Sequence, residues 1–212
     1  IDRDAPIGVF DSGVGGLTVA REIMRNLPSE KIVYFGDTAR VPYGSKSKDT
    51  VIRYSRQIIH FLKEQQVKAI VIACNTASAL ALDELNIPVL GVIEAGAKVA
   101  AKETRNKRVG VIGTLGTVGS GIHEAYLKQL DPEITVIGKA CPLFVPLVEN
   151  GFIDKNDIVV RTVVQRYLQP LIDSGIDTLI LGCTHYPILR EAIADVMGDG
   201  VALIDSGRET AR

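Results

Sequence analysis

The sequence has no tryptophan, only three cysteines and no long apolar run. Three cysteines without paired spacing argue against a disulfide framework and indicate a reducing compartment. None of the apolar runs approaches the length of a membrane span, and the first residues do not have the pattern of a signal peptide. We therefore expect a cytoplasmic protein that does not insert into a membrane.

An excess of charge of one sign is also missing, because 24 basic residues stand against 25 acidic ones. A net charge of −1 offers no basic surface, so we predict no nucleic-acid partner. The composition, with 46% hydrophobic and 23% charged residues, is that of an ordinary globular chain. Its 212 residues suffice for one large or two small domains.

Two of the three cysteines directly follow apolar runs. Cys74 comes after residues 69–73, and Cys183 comes after residues 179–182. An uninterrupted run of Val, Ile and Leu is typical of a strand buried on both faces of a parallel sheet. Ligands bind beyond the carboxyl ends of such strands, so both thiols are predicted at a ligand site.

A cysteine beside a buried strand more often serves as a small apolar core residue. Here, however, both thiols are followed by residues that can begin a helix. Thr76 or Ser78 can cap a helix after Cys74. Pro187 suits the first turn of a helix after Cys183. Because a helix N-terminus stabilises a thiolate, we predict that these two thiols act as bases.

Strands and helices are predicted to alternate along the chain, which indicates parallel α/β architecture. Ser47 is predicted to cap a long amphipathic helix. In the first half, the predicted strands are residues 7–10, 32–35, 69–73 and 87–92. The helix after the first strand is predicted to stop at Pro28 and to bury Leu17, Ala20, Ile23, Met24 and Leu27.

The second half repeats the plan of the first. Residues 109–114 echo residues 7–12, and a helix is predicted over residues 115–130. Gly8 and Gly110 are 102 positions apart, while the two strand-end cysteines are 109 positions apart. These nearly equal offsets predict two similar α/β domains with mostly parallel sheets. We place the domains at residues 1–97 and 98–205, related by a pseudo-twofold axis, with the active site in the cleft between them.

The glycine-rich loops do not have the pattern of a nucleotide site. Residues 13–18 begin like a dinucleotide fingerprint, but Thr18 stands where the third glycine belongs, and residues 113–121 lack the ending of a phosphate-binding loop. These loops are better suited to a carboxylate. Cys183 and His185 have no second ligand pair at zinc spacing, so we predict no metal and no cofactor.

Two facing thiols without a metal can act as a base and an acid on opposite faces of a small ligand. Removing a proton from one face and returning one to the other inverts a stereocentre. The developing charge must be stabilised, and hydroxyls, amides and helix N-termini in a closed pocket can do this. Such groups follow each cysteine, namely Asn75, Thr76, Thr184 and His185.

The motifs that carry these residues resemble those of glutamate racemases, cofactor-independent enzymes of the aspartate/glutamate racemase superfamily. The resemblance implies interconversion of L- and D-glutamate, which supplies D-glutamate for bacterial peptidoglycan. It runs from near the first residue almost to the last. The matching motifs lie at residues 10–18, 36–38, 41–44, 73–77, 91–94, 140–143 and 182–187.

The resemblance also implies residue roles. Cys74 would take the proton from D-glutamate and Cys183 the proton from L-glutamate, with Glu149 placed behind His185. Asp37 is expected to order a loop or to aid catalysis, and Cys141 is expected to be structural. The implied substrate-binding residues are Asp11, Ser12, Tyr43, Gly44, Asn75, Thr76, Thr114, Thr117, Thr184 and His185.

The chain departs from the family pattern in two places. The family continues beyond residues 205–212 with elements that return to the first half, so we expect a missing terminal segment, with residues 206–212 returning to the first domain. The helix before residues 87–92 is also shorter than usual near Leu85 and Asn86. We expect a homodimer, as the resemblance implies.

Two alternatives remain open on the sequence. One is an aspartate racemase or a related member of the superfamily, although the motifs at residues 42–44 and 184–186 favour glutamate. The other is an inactive binding protein that keeps the fold. Paired thiols at matching strand ends argue against a purely structural role.

Overall fold

The computed structural model describes residues 2–85 and 89–211, and these residues contain two four-stranded parallel sheets. The first sheet has the order β2-β1-β3-β4 and the second the order β6-β5-β7-β8. The two orders are equivalent, as the sequence echo predicts, so the prediction of two similar α/β halves is confirmed. The strands are β1 Ile7–Asp11, β2 Ile32–Gly36, β3 Ala69–Ile72, β4 Leu90–Gly91, β5 Arg108–Gly113, β6 Thr135–Ala140, β7 Thr178–Gly182 and β8 Ala202–Asp205.

Helices follow the strands and cover the sheets. Ser47 caps α2 as predicted, because its hydroxyl accepts a hydrogen bond from the Thr50 amide, and the Asp157 carboxylate, which was not predicted as a cap, accepts from the Val159 amide. The helices are α1 Leu17–Asn26, α2 Lys48–Glu64, α3 Asn75–Leu80, α4 Ile93–Glu103, α5 Leu115–Gly119, α6 Ile122–Leu130, α7 Phe144–Glu149, α8 Ile158–Asp173, α9 Arg190–Met197 and α10 Ser206–Thr210, with 3-10 turns at Leu82–Glu84 and Tyr186–Leu189.

Three predicted elements differ from the structure. The helix expected over residues 115–130 is broken into α5 and α6, because Gly121 adopts a left-handed conformation with φ of 67°. The helix after Cys74, predicted to reach about Leu85, ends at Leu80 and is followed only by a 3-10 turn. The strand expected at residues 87–92 is reduced to β4, although residues 86–88 lie outside the described part.

The face that α1 buries is also narrower than predicted. Ala20 and Ile23 are buried, together with Val19. Leu17, Met24 and Leu27, in contrast, are about half exposed. Helical periodicity shows which residues share a face, but it does not show how much of that face another element covers.

Helix α4 crosses the predicted domain boundary, since Ala97 and Lys98 both lie inside it. Ala97 and Ala100 pack with Ile180 and Ile204 of the second sheet. The division at residues 97 and 98 stays a prediction, and this packing favours a boundary before α4.

Near the C-terminal end of the described residues, Ala211 packs against the core beneath β1 and α1, which supports a return of the chain to the first half.

Within the described ranges, no helix combines the length and the apolar character needed to cross a bilayer.

Candidate active site

The carboxyl ends of the inner strands of both sheets meet at one narrow pocket. Of the twelve residues predicted to be catalytic or substrate-binding, only Asp11 and Thr117 are not on its wall. The wall consists of Ser12, Pro42, Tyr43, Gly44, Cys74, Asn75, Thr76, Thr114, Val145, Cys183, Thr184 and His185.

Cys74 follows β3 and is itself the N-cap of α3. Its sulfur accepts a hydrogen bond from the Ala77 amide at 3.4 Å, so neither Thr76 nor Ser78 caps this helix as predicted. Burial, with a smaller contribution from the nearby Asp11 carboxylate, raises the pKa of the Cys74 thiol to about 11. Hydrogen bonds from Ala77 and Ser12 lower the pKa, but they do not outweigh burial.

Cys183 occupies the equivalent position after β7. Burial raises the pKa of this thiol well above its usual range, while the backbone amides of His185 and Tyr186 act in the opposite direction. A charge on Cys74 raises the Cys183 pKa as well. The two thiols therefore oppose each other's ionisation, which disfavours two thiolates at the same time.

His185 stands between Cys183 and an acidic residue. Its Nε2 is 2.5 Å from Oε1 of Glu149, while its Nδ1 is 3.8 Å from the Cys183 sulfur. If Nε2 of a neutral ring donates to Glu149, Nδ1 carries a lone pair toward the thiol. Glu149 thus lies behind His185, where the resemblance places it.

Asp11 lies behind the pocket wall. Its Oδ2 accepts hydrogen bonds from the amides of Gly13 and Gly16, both at 3.0 Å. Burial raises the pKa of the Asp11 carboxyl, and the hydrogen bonds from Gly16, Gly13 and Thr184 oppose this rise. A Cβ on Gly16 would lie 2.3 Å from Cβ of Asp11, so only glycine allows this loop to approach so closely.

The loop of Tyr43 and Gly44 closes one side of the pocket. The buried Tyr43 hydroxyl donates to Asp37, and Arg40 donates to the same carboxylate at 2.9 Å. Asp37 therefore orders this loop, which was one of its two predicted roles. The Gly44 carbonyl accepts from the Gly116 amide at 3.0 Å, which joins the loop to the second half.

Three threonine hydroxyls form a cluster across the two halves. Oγ1 of Thr76 lies 2.8 Å from Oγ1 of Thr114 and 3.3 Å from Oγ1 of Thr117. Thr114 also caps α5. Thr117 is buried beneath Thr114, so this predicted substrate-binding residue adjoins the pocket but does not line it.

Asn75 carries the clearest sign of a ligand. Its Oδ1 is buried, and within the described residues it has no hydrogen-bond partner. Because buried polar atoms are nearly always paired, an acceptor left free on a pocket wall indicates a donor on the molecule that binds there. Asn75 also begins α3, directly after Cys74.

Cys141 is not part of the pocket. Its side chain is fully buried in the core of the second half, and burial raises the pKa of its thiol to about 12.

Pro42 and Val145 line the pocket but were not predicted, because apolar side chains carry no chemical signal. Tyr34 was missed as well: its hydroxyl donates to the Gly13 carbonyl at 2.7 Å and so supports the loop behind the pocket.

Metal-binding side chains are not clustered, since no three His, Cys, Asp or Glu residues in the described ranges are placed to hold an ion.

Comparison with known proteins identifies the family. The profile of the Asp/Glu/Hydantoin racemases matches residues 7–212. The chain belongs to the Asp/Glu/Hydantoin racemase family. A glutamate racemase from Geobacter metallireducens is 54% identical over 210 residues, which cover 97% of this chain and 77% of that protein.

Solved structures of family members agree with this fold. A glutamate racemase from Bacillus anthracis superposes with a TM-score of 0.93 at 47% identity, covering 98% of this chain and 79% of that one. A glutamate racemase from Francisella tularensis, in complex with D-glutamate, superposes with a TM-score of 0.90 at 44% identity, covering 98% and 78% of the two chains. The predicted family and the two-domain α/β fold class are therefore confirmed.

Proposed function

We propose that this chain is a glutamate racemase that interconverts L- and D-glutamate by a two-base mechanism. The observation that carries the proposal is the placement of Cys74 and Cys183. Each thiol follows an inner strand of its own sheet, and both line the same small pocket. A scaffold or binding protein has no need for this arrangement, whereas racemisation requires a proton acceptor and a proton donor on opposite faces of one carbon.

In the D-to-L direction, the Cys74 thiolate takes the α-proton of D-glutamate. The Cys183 thiol then gives its proton to the opposite face of the carbanion, which leaves Cys74 as thiol and Cys183 as thiolate. The reverse direction begins from that state, with Cys183 as the base. Mutual repulsion disfavours two thiolates at once, so the partner of the ionised thiol keeps the proton that it must donate.

Substrate charge helps to ionise a thiol whose pKa burial has raised. The ammonium group of glutamate brings a positive charge beside Cys74 or Cys183, which lowers the pKa of the nearby thiol. We assign the unpaired Oδ1 of Asn75 to that ammonium group. The thiolate then forms in a dry pocket, where it is a strong base.

The carboxylates of the substrate need donors. The Thr76 and Thr114 hydroxyls, supported by Thr117, lie beside the first turns of α3 and α5, and Ser12 and Thr184 offer hydroxyls on the other side. Donors aimed at a carboxylate also stabilise the charge that develops as the α-proton leaves. Tyr43 and Gly44 close the pocket over the ligand.

His185 serves the Cys183 half of the reaction. With Nε2 held by Glu149, Nδ1 accepts the proton of the Cys183 thiol when that thiol must act as a base. Asp11 positions the glycine-rich loop and Thr184 from behind. His185 thus holds a proton and Asp11 orients its neighbours. Only the thiolates remove the α-proton of the substrate.

The proposal includes the setting of the reaction. The chain would act in the cytoplasm as a homodimer, would need neither pyridoxal phosphate nor a metal, and would supply D-glutamate for peptidoglycan. Sedimentation velocity tests the oligomeric state, and a single species with the mass of one chain would contradict the homodimer.

Optical rotation separates glutamate racemisation from the alternatives. D-glutamate and D-aspartate are each incubated with the protein after dialysis against a chelator. We expect the rotation of D-glutamate to decay to zero, with D-aspartate at least a hundredfold slower. Faster decay of D-aspartate would indicate an aspartate racemase, and no decay of either would indicate a binding protein. Cys141→Ser serves as the matched control, because this thiol lies outside the pocket.

A further inference from the structure

A second pocket lies behind the hydroxyl cluster, at the break between α5 and α6. Its cavity volume is about 50 Å³, so only a compact molecule fits. Its walls include Val111, Thr117, Val118, His123 and Val136, and we call it the His123 pocket. No part of the proposed racemase mechanism uses it.

His123 is the unusual feature of this pocket. The side chain is only 3% exposed, yet neither ring nitrogen has a hydrogen-bond partner within the described residues. Its ring lies against the end of β7, because a Cβ on Gly182 would come within 3.5 Å of its Cε1. A buried imidazole with two unpaired nitrogens on a pocket wall is the feature expected where a polar ligand binds.

The remaining walls limit the ligand to a neutral molecule. Val111, Val118 and Val136 are apolar, and the one acidic residue on the rim, Glu124, is exposed to solvent. Burial lowers the pKa of His123 to about 4, so the ring is uncharged near pH 7. A neutral imidazole has one N–H donor and one acceptor nitrogen, which point in different directions, so a compact ligand pairs with one of them.

We propose that the His123 pocket binds a compact, neutral molecule with a polar edge that hydrogen-bonds to one ring nitrogen of His123, such as a five-membered azole. The valines pack against the faces of the ring, while His123 pairs with its polar edge. The site is separate from the pocket of Cys74 and Cys183.

Thr117 joins the two pockets. It lines the His123 pocket, and its hydroxyl lies 3.1 Å from that of Thr114 at the proposed substrate site. Its carbonyl accepts a hydrogen bond from the Ser120 hydroxyl at 2.7 Å, at the α5–α6 break. A ligand that fills the space beneath α5 restricts this short helix and should tighten the binding of glutamate. This coupling rests on the proposed function, whereas azole binding does not.

Nitrogen NMR of the histidine rings tests the binding directly. The whole chain, labelled with ¹⁵N, is titrated with pyrazole, which is neutral near pH 7. We expect a saturable shift of the His123 ring-nitrogen signals, with no comparable shift at His60, whose side chain is 77% exposed. Equal shifts at both histidines, or no saturation at His123 up to the solubility limit, would overturn the proposal.

Two variants and one apolar probe sharpen the test. His123→Leu should weaken pyrazole binding about tenfold, or about 1.4 kcal/mol, while His60→Leu should bind like the wild type. Cyclopentene, a ring of similar size without nitrogen, should also bind about tenfold more weakly than pyrazole. Equal binding of cyclopentene would overturn the role of His123 even if the leucine variant fails to fold.

Glutamate affinity is measured separately, with and without saturating pyrazole. A severalfold tighter glutamate complex is expected, and the same factor must appear in pyrazole affinity when glutamate is saturating. An unchanged glutamate affinity would overturn the coupling through Thr117. Failure of glutamate to bind at all would instead count against the proposed function, because pyrazole binding is observed without it.

Discussion

The Thr184 hydroxyl donates a hydrogen bond to Oδ1 of Asp11 at 3.1 Å and so ties the end of β7 to the end of β1. These residues lie 173 positions apart and belong to different sheets. Since the other carboxylate oxygen of Asp11 holds the amides of Gly13 and Gly16, one buried side chain orders the glycine-rich loop and joins the two halves beside the pocket.

A pair of variants tests this joining role of Asp11. Asp11→Ala removes all three accepted hydrogen bonds and leaves buried donors unpaired, so we expect a loss of about 1–3 kcal/mol in the free energy of unfolding. Asp11→Asn keeps an oxygen for the two glycine amides and should lose less than half as much. Urea unfolding of both variants gives the comparison, and equal losses would show that the negative charge, rather than the hydrogen bonding, matters.

Acid sensitivity should reveal the buried His123. Burial depresses the pKa of His123 from 6.5 to about 4, so the unfolded chain takes up a proton at this residue before the folded chain does. The stabilising effect is complete above pH 6.5 and is lost as the pH falls toward 4. The full loss corresponds to about 3 kcal/mol.

The measurement is the difference in unfolding free energy between pH 7 and pH 4 for wild type, His123→Leu and the exposed control His60→Leu. His123→Leu should show a smaller difference than the wild type, whereas His60→Leu should match it. Identical pH dependence in all three proteins would contradict the burial of a neutral His123.

Glutamate should stabilise the protein, because groups from both halves converge on the pocket. At a hundredfold excess over Kd, the gain in unfolding free energy is about 2.7 kcal/mol for one site. Both enantiomers should raise the melting temperature, and D-aspartate at the same concentration should raise it less. If neither enantiomer protects at saturation, the shared pocket does not bind glutamate.

The sheets could be predicted because their signals are local. The apolar runs that end at Cys74 and Cys183 gave the inner strands, and Ser47 marked a helix start that the structure confirms. The same strand-end rule brought together residues from both halves. The family motifs then supplied residues, such as Tyr43, that no strand pattern indicates.

Contacts between distant residues could not be predicted from the sequence. Thr76 and Thr114 meet only because two sheets face each other, and Tyr34 supports Gly13 from an edge strand. Capping of α3 by Cys74 was missed because sulfur is a weak acceptor and the usual caps, Ser and Thr, follow it closely. Gly121 could have predicted the break before α6. The helical spacing of the apolar residues on both sides of it favoured one continuous helix instead.

Glu149 should matter more for one direction of proton transfer than for the other. It contacts His185, whose Nδ1 faces Cys183, and no described contact links it to Cys74. Glu149→Gln weakens the hydrogen bond that residue 149 accepts from Nε2–H of His185. It should therefore slow removal of the α-proton from L-glutamate more than from D-glutamate. Exchange of the α-hydrogen in deuterated water, started from each enantiomer, measures the two steps. Equal slowing from both sides would contradict the assignment of His185 to the Cys183 half.

The two thiols should be separable by a reaction that needs only one of them. A serine hydroxyl is far less acidic than a thiol, whose unperturbed pKa is about 8.5, so serine cannot replace the thiolate base. Cys74→Ser and Cys183→Ser should therefore both be almost inactive as racemases. Elimination from a glutamate analogue with a leaving group at Cβ needs only the first abstraction, because the carbanion expels that group without being reprotonated.

Each variant should consequently process one enantiomer of that analogue. Cys74→Ser retains Cys183 and should eliminate from the L-configured compound, while Cys183→Ser should eliminate from the D-configured one. Cys141→Ser, which alters a buried thiol outside the pocket, should racemise glutamate at close to the wild-type rate. Elimination from both enantiomers at equal rates by either active-site variant would refute the two-base assignment. Damage from Cys141→Ser as severe as from the other two changes would refute it as well, because the effect could then not be attributed to the paired thiols.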